Sequence, residues 1–114
     1  FFHFQFTPRS LKGFDKHPLH QNQACFGLDL RTEKELPQGF SLKYLLQFYQ
    51  LYQKQYPDAE KRFFSRSQWF DLLMGTSQVR KDILQGKTES EIRQAWEKDL
   101  QAYRSLREKY LLYE

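Results

Sequence analysis

The stretch that decides the fold is residues 67–113, SQWFDLLMGTSQVRKDILQGKTESEIRQAWEKDLQAYRSLREKYLLY. In its second half apolar residues recur every three or four positions, which lines one face of an α-helix. That face consists of Ile92, Trp96, Leu100, Tyr103, Leu106 and Tyr110. Thr88 and Glu91 have the spacing of a capping box, so we expect the helix to begin there and to bury this stripe.

Two glycines divide the rest of this stretch. Gly75 and Gly86 are expected to end helices, because glycine readily takes the left-handed conformation that closes a helix. A Ser65/Gln68 capping box is expected to start the first of these helices, which runs to Met74. Trp69, Phe70 and Trp96 lie at helical spacing, which predicts core packing before any sugar-stacking role. The tail is therefore predicted as three helices that end in an aromatic anchor at Tyr113.

Upstream of the tail the pattern predicts one more helix and a linker. Ser41 is expected to cap a helix that Pro57 stops. Phe63 and Phe64 lie between basic and polar residues and are expected to form a short extended piece. The core-facing stripe of the helix consists of Leu42, Leu45, Leu46, Tyr49 and Tyr52.

The start of the chain reads as two strands. Apolar and polar residues alternate over Phe2, Phe4 and Phe6, the period of a strand with one buried face, and Thr7-Pro8 ends it. Residues 24–30 alternate in the same way, with Cys25 and Gly27 on the less apolar face. Residues 9–23 between the strands hold no period and form a long loop, a type of segment that often carries function.

Length and order predict an α+β fold. A chain of 114 residues allows one domain over residues 1–114, with short antiparallel strands followed by about four helices packed on the sheet. Two strands do not make a stable sheet alone, and the sequence opens on an apolar run without methionine. We therefore expect a fragment of a larger C-terminal domain. There is no signal-peptide pattern and no apolar run long enough for a membrane span.

The charge pattern favours a solvated surface. The net charge is +4, but basic and acidic residues alternate through most of the chain. Lys61, Arg62 and Arg66 form the one basic cluster, and it follows Asp58 and Glu60. No nucleic-acid partner is expected. A noncatalytic module that binds an anionic polymer or a protein partner is the alternative that these charges and the 18% aromatic content leave open.

No catalytic or metal motif stands out. His17 and His20 lie on a loop, where their spacing fixes no coordination geometry, so neither a metal nor a cofactor is expected. Asp15, Asp29 and Asp71 have no spacing that marks a catalytic pair. A thiol nucleophile at Cys25, activated by His20, is an open alternative to a small half-buried residue. The single cysteine leaves the redox compartment undetermined.

Four segments together resemble one family. They are Phe6-Thr7-Pro8; residues 25–30, CFGLDL; residues 70–76, FDLLMGT, with Arg80 and Gly86; and the closing Glu91-Ile92, Trp96, Leu100, Arg107 and residues 110–113, YLLY. In this order they resemble the C-terminal part of the exo-β-N-acetylmuramidases of NamZ type, long catalogued as a domain of unknown function. The resemblance runs through nearly the whole chain, and the closing segment is its most specific part.

The resemblance implies a bacterial two-domain glycoside hydrolase of cell wall recycling, in which this chain is the later part of the C-terminal domain. The catalytic carboxylate then belongs to a Rossmann-like N-terminal domain, which is the expected partner. The implied reaction removes a terminal N-acetylmuramic acid from peptidoglycan fragments, and the implied location is periplasmic or secreted. No catalytic residue is expected in this chain, which agrees with the absence of a carboxylate pair.

The substrate contacts are expected where a strand end meets the long loop. The candidate substrate-binding residues are Thr7, Pro8, Lys16, Cys25 and Gly27. Glycine in a strand leaves room for a sugar to approach the backbone. Muramic acid carries a lactyl carboxylate, and Lys16 or Arg9 could pair with it through a charge-assisted hydrogen bond.

Overall fold

The computed structural model describes residues 2–112, and the chain divides into two compact units, Phe1–Gln38 and Gly39–Glu114. The first unit contains strands β1 (Phe4–Phe6) and β2 (Cys25–Gly27) and a 3₁₀ turn (Leu30–Thr32). The second contains helices α1 (Lys43–Gln55), α2 (Ala59–Phe63), α3 (Ser67–Met74), α4 (Gln78–Leu84) and α5 (Glu89–Glu108). The predicted α+β class is confirmed. No helix among the described residues is long and apolar enough to cross a membrane.

The two strands pair antiparallel, and the register decides which residues share a face. Phe4 lies opposite Gly27 and Phe6 opposite Cys25, and these four residues lie on one face because cross-strand partners point the same way. Phe26, opposite Gln5, points to the other face and is exposed. The aromatic face of β1 therefore coincides with the small-residue face of β2.

The second strand is shorter than predicted. Asp29 interrupts it, because its carboxylate accepts a hydrogen bond from the backbone N–H of Arg31 at 3.0 Å and caps the 3₁₀ turn. Leu30, which the alternation places in the strand, begins this turn instead. An N-capping aspartate competes with the strand ladder for the backbone, and here the local cap prevails.

The core of the helical unit draws on every helix but α3. Tyr49 of α1 lies edge-on to Phe63 at 5.2 Å between ring centroids and 5.7 Å from the Phe64 ring. Phe70 of α3 packs edge-on against Phe64 from outside the fully buried set, at 4.9 Å. Burial of these side chains supplies most of the apolar stabilisation of this unit. The buried cluster consists of Leu42, Tyr49, Phe64, Val79, Ile83 and Ile92.

A residue from α5 caps α1. The N-cap residue of α1 is Leu42, and the predicted cap Ser41 lies one residue before it, where its Oγ accepts from the N–H of Lys43 at 3.1 Å. Glu89 adds to this cap from the first turn of α5: one carboxylate oxygen accepts from the Ser41 hydroxyl and from the Leu42 N–H, both at 2.9 Å. Arg93 donates to the same oxygen at 3.3 Å and also to the Phe40 carbonyl. The starts of α1 and α5 are thereby joined.

The predicted helix boundaries in the tail are confirmed at three positions. Thr88 and Glu91 form the full capping box. Gly75 ends α3 with φ 75°, and Gly86 follows α4 with φ 78°, both in the left-handed region. Three local signals therefore set the ends of three helices.

Two predictions for the linker and α3 are wrong. Phe63 ends helix α2 rather than an extended piece, because the Asp58 carbonyl accepts from the N–H groups of Lys61 and Arg62 and the Phe63 ring packs on Tyr49. No Ser65/Gln68 box forms: α3 begins at Ser67, and its N-cap residue makes no side-chain capping bond.

The apolar stripes of α3 and α5 are buried only in part. Trp69 is 62% exposed rather than in the core, while Phe70 beside it packs on the core. On α5 Ile92 is buried and Trp96 is half-buried, but the four later members of the stripe are exposed, contrary to prediction. The core of the helical unit ends after the second turn of a 20-residue helix. The predicted anchor Tyr113 lies outside the described residues.

The cap at Glu89 gives a stability prediction. Glu89→Gln keeps the shape of the side chain but loses the charge that strengthens its three hydrogen bonds. We expect the free energy of unfolding in urea denaturation to fall by about 1–2 kcal/mol. Glu97→Gln, an exposed position on the same helix, is the control and should change it little. Equal effects of the two substitutions would contradict the capping role.

Acid sensitivity gives a second prediction. Asp82 is 1% exposed, and the hydrogen bond from Lys87 lowers its pKa against the opposing effect of burial. Because the folded pKa lies below the unfolded one, this stabilisation is present above the unfolded pKa and is lost as pH falls through the folded pKa. Asp82→Asn should lower stability at pH 7, and the variant should then lose less stability than wild type between pH 7 and about pH 3. Urea denaturation at both pH values checks this, with Asp58→Asn as an exposed control.

Candidate functional site

The predicted site residues fall into two groups in the first unit. Thr7 and Pro8 follow directly after β1, and Cys25 begins β2 opposite Phe6. The Pro8 carbonyl accepts from the Asn22 N–H at 2.9 Å, which closes the base of the long loop. Thr7, Pro8 and Cys25 are therefore brought together at one end of the sheet. Lys16 lies out on the loop and is exposed.

The loop between the strands is built from local turns. Phe14 N–H donates to the Leu11 carbonyl and Leu11 N–H to the Asp15 carbonyl, each at 3.1 Å. Asp15 in turn accepts from the His17 N–H at 2.9 Å. His20 and Asn22 have positive φ, at 58° and 62°, which reverses the chain toward β2. This backbone presents the side chains of the loop outward.

Three basic side chains of this loop have no acidic partner in the part of the chain that the structure describes. Arg9, Lys12 and Lys16 are exposed, and no ion pair among residues 2–112 involves any of them. Asp15, the acid within the loop, is exposed as well. An anionic ligand that reached the loop would therefore meet free guanidinium and ammonium groups. Phe14 and Leu19 add exposed apolar surface beside them.

Gly27 has a structural partner. A Cβ atom at this position would lie 3.2 Å from Cε1 of the Phe6 ring, so the ring occupies the space that glycine leaves. The close approach that the sequence assigned to a sugar is made within the sheet by this ring. A ligand at this face would contact the Phe6 ring together with Gly27.

Cys25 and His20 do not form a hydrogen-bonded pair. The Cys25 thiol donates weakly to the Gln23 carbonyl at 3.6 Å, and His20 Nδ1 lies 3.2 Å from Oε1 of the same glutamine. Gln23 thus engages both groups that a thiol mechanism would need together. The geometry favours Cys25 as a half-buried strand residue.

Two of the three acids that the sequence singled out are engaged by arginine. Arg31 binds Asp29 through two hydrogen bonds at 2.9 and 2.7 Å, and its guanidinium lies 5.6 Å from the centre of the Phe4 ring. Arg80 binds Asp71 in the same bidentate way, at 2.9 and 2.8 Å. In each case the hydrogen bonds from the arginine lower the pKa of the carboxyl group. A general acid requires a raised pKa, so neither group is suited to that role.

The Asp71–Arg80 ion pair gives one residue of the FDLLMGT segment, Asp71, a structural contact. Asp71 lies on α3 and Arg80 on α4, so the pair joins two helices across the turn that Gly75 begins. The pair gives Asp71 and Arg80 a structural role, whereas Leu72 and Leu73 of the same segment are exposed and Asp71, Leu72, Gly75 and Thr76 line a surface cleft. They lie in the helical unit and not in the unit that holds the predicted site residues.

A cleft of about 220 Å³ opens beside α4 and α5. Trp96 and Asp99 line one wall, and Gln78 and Asp82 line the other. The aromatic and acidic lining is of the kind that binds sugars, but the Asp82 carboxylate already accepts from Lys87 at 2.8 Å and from Gln78 at 2.9 Å. Trp96 packs at 6.3 Å from the Phe40 ring, in keeping with its predicted core role. No cluster of three metal-ligating side chains lies among residues 2–112.

Sequence reasoning missed Asp82 and Glu89, the two acids that hold the helical unit together. Gln78 and Asp82 are four residues apart on one helix, a spacing at which a glutamine and an aspartate hydrogen-bond, and this signal was available. The Lys87 contact depends on the turn after α4. The cap that Glu89 provides for α1 spans 47 positions of sequence, and no local pattern reports it.

The fold and these sites define a small α+β module in which several acids are engaged in structural contacts, while the basic side chains of the first loop make no ion pair among residues 2–112. Residues 1–113 match the family described as exo-beta-N-acetylmuramidase NamZ, C-terminal. The chain belongs to this family, and it is the C-terminal domain of a glycoside hydrolase family.

A solved structure supports the assignment. The crystal structure of a DUF1343 family protein from Bacteroides fragilis is 34% identical in sequence, with a TM-score of 0.71. The match covers 99% of this chain and 31% of that one, so this chain spans about a third of its length. NamZ belongs to the DUF1343 family. No curated protein matches the sequence significantly.

The scaffold role of Asp71 gives a third prediction. Asp71→Asn and Arg80→Gln should each lower the urea midpoint of unfolding, and the double variant should lose less than the two single losses together, because the pair is broken once only. Additive losses would show that the two side chains act independently. The control is Arg62→Gln. It breaks the exposed Asp58–Arg62 ion pair at helix α2 and should have little effect on the urea midpoint.

Proposed function

We propose that this chain forms part of the substrate cleft of an exo-β-N-acetylmuramidase of peptidoglycan recycling and supplies binding rather than catalysis. The parent protein would release terminal N-acetylmuramic acid, and the catalytic carboxylate would come from its N-terminal domain. The family match over residues 1–113 is the observation that carries this proposal. The arginine-bound state of Asp29 and Asp71 supports the division of labour.

The loop and sheet end of the first unit are the proposed contact region. Thr7, Pro8 and Cys25 would form its floor, with Gly27 and the Phe6 ring beside them. An exposed aromatic ring suits the apolar face of a sugar. Thr7 adds a hydroxyl that can donate or accept a hydrogen bond.

The basic residues of the loop are proposed to recognise the lactyl carboxylate. Arg9 and Lys16 make no ion pair with the described residues, so binding would not require an existing pair to break. A charge-assisted hydrogen bond to a carboxylate contributes more than a neutral one. Selectivity for muramic acid over N-acetylglucosamine, which lacks the lactyl group, would follow from this contact.

A kinetic experiment tests the proposal. In the full-length protein, Arg9→Gln combined with Lys16→Gln should raise KM for a muramyl substrate by about tenfold and leave kcat within a few fold, since binding and not chemistry is removed. Lys54→Gln, an exposed lysine of α1, is the matched control. An unchanged KM in the double variant would contradict the carboxylate contact. Full-length protein that releases no muramic acid would contradict the proposed activity.

A further inference from the structure

The second half of α5 carries an apolar stripe that the core of the helical unit does not cover. The stripe begins in the core at Ile92, continues at Trp96 against that core, and runs about 15 Å further to Leu106 at 1.5 Å per residue, while Tyr110 lies in the turn after the helix ends at Glu108. Tyr103, near the middle of this exposed part, is 61% exposed. The exposed members are Leu100, Tyr103, Leu106 and Tyr110. We call this stretch, residues 96–110, the α5 stripe.

Two opposite charges interrupt the stripe. Asp99 and Arg107 each lie four residues from Tyr103, which places them about 40° to either side of it at 100° per residue. Both are exposed, and neither side chain makes an ion pair or hydrogen bond with another described residue of the helical unit. An apolar surface that covered the stripe would bury both charges without partners, which is strongly unfavourable.

The stripe is complementary to its own reverse. Around Tyr103 the residues at equal distances match: Leu100 with Leu106 and Trp96 with Tyr110. Asp99 and Arg107, the charged residues that lie within the stripe at equal distances from Tyr103, have opposite signs.

We propose that the α5 stripe is a homodimer interface, in which two copies of α5 pack antiparallel about a two-fold axis at Tyr103. In this arrangement Tyr103 meets its own copy, and Leu100 lies level with the partner's Leu106. Asp99 lies level with the partner's Arg107, so the two charges within the stripe neutralise each other. An isologous interface requires this kind of self-complementarity.

A second copy of this chain accounts for both the charges and the apolar residues of the α5 stripe, which a cover from elsewhere in the same polypeptide does not do by itself. A cover from elsewhere in the same polypeptide would need its own charges placed to match an acid before Tyr103 and a base after it. The two-fold arrangement provides both charges and the apolar match from one sequence. This inference is independent of the proposed enzymatic function, because it depends only on the surface of α5.

Charge reversal on the full-length protein tests the pairing. Sedimentation equilibrium from micromolar to submillimolar concentration should show a dimer. Asp99→Arg or Arg107→Asp alone places like charges level with each other and should raise the dissociation constant by about tenfold or more. The double variant Asp99→Arg/Arg107→Asp restores opposite charges and should return the dissociation constant close to that of wild type.

The control is Gln101→Lys. It adds a charge on the opposite face of α5 and should leave the dissociation constant of the dimer unchanged. Circular dichroism melting of each variant establishes that the fold is retained at these exposed positions. A protein that stays monomeric at every concentration would overturn the proposal and would indicate that another part of the polypeptide covers the stripe or that it stays open. The antiparallel register would be overturned if the single charge reversals left the dissociation constant unchanged. It would also be overturned if the double variant did not return the dissociation constant close to that of wild type.

Discussion

The Glu89 carboxylate is the contact on which the arrangement of the helical unit depends. One of its oxygens accepts from the Ser41 hydroxyl and the Leu42 N–H and so joins the first turn of α5 to the two residues just before α1. Leu42 and Ile92 belong to one buried core. Burial alone would raise the pKa of Glu89, but hydrogen bonds from Leu42, Ser41 and Arg93 outweigh it and keep the group ionised. The direction of α5, and with it the course of its apolar stripe, is fixed at this end.

Several acids of this chain maintain its structure. Glu89 caps a helix, Asp82 is buried against Lys87, and Asp71 joins α3 to α4 through Arg80. Asp29 caps the 3₁₀ turn and binds Arg31. A group held in this way has a lowered pKa and little freedom to move a proton, which agrees with a domain that supports chemistry performed elsewhere.

Local signals predicted those parts of the fold that depend on a few neighbouring residues. The Thr88/Glu91 box and the glycine stops need only their own turns, and the structure confirms them. The end of β2 was mispredicted because alternation outweighed the capping preference of Asp29. Phe63 and Phe64 lack helical periodicity in so short a segment, and their helix depends on packing against Tyr49.

Burial was harder to predict than secondary structure. Trp69 and Phe70 are adjacent and both apolar, yet one is exposed and the other packs on the core, because the sequence does not state which side of a short helix meets its neighbours. On α5 the periodicity correctly indicates an apolar stripe but not what covers it. For the candidate site, the two predicted strands already suggested that Thr7 and Cys25 belong to one site. The contact of the Phe6 ring with Gly27 could not be predicted, because it depends on the register in which the strands pair.

We infer that this chain contributes binding and scaffold but no catalytic carboxylate. The most direct measurement is kcat of the full-length protein on a muramyl substrate with Asp15→Asn and Asp29→Asn introduced separately. These are the two aspartates in the unit that holds the proposed contacts. The account predicts a kcat within a few fold of wild type for both variants. A loss of about 10³-fold in either, the scale expected for a missing general acid or nucleophile, would contradict it.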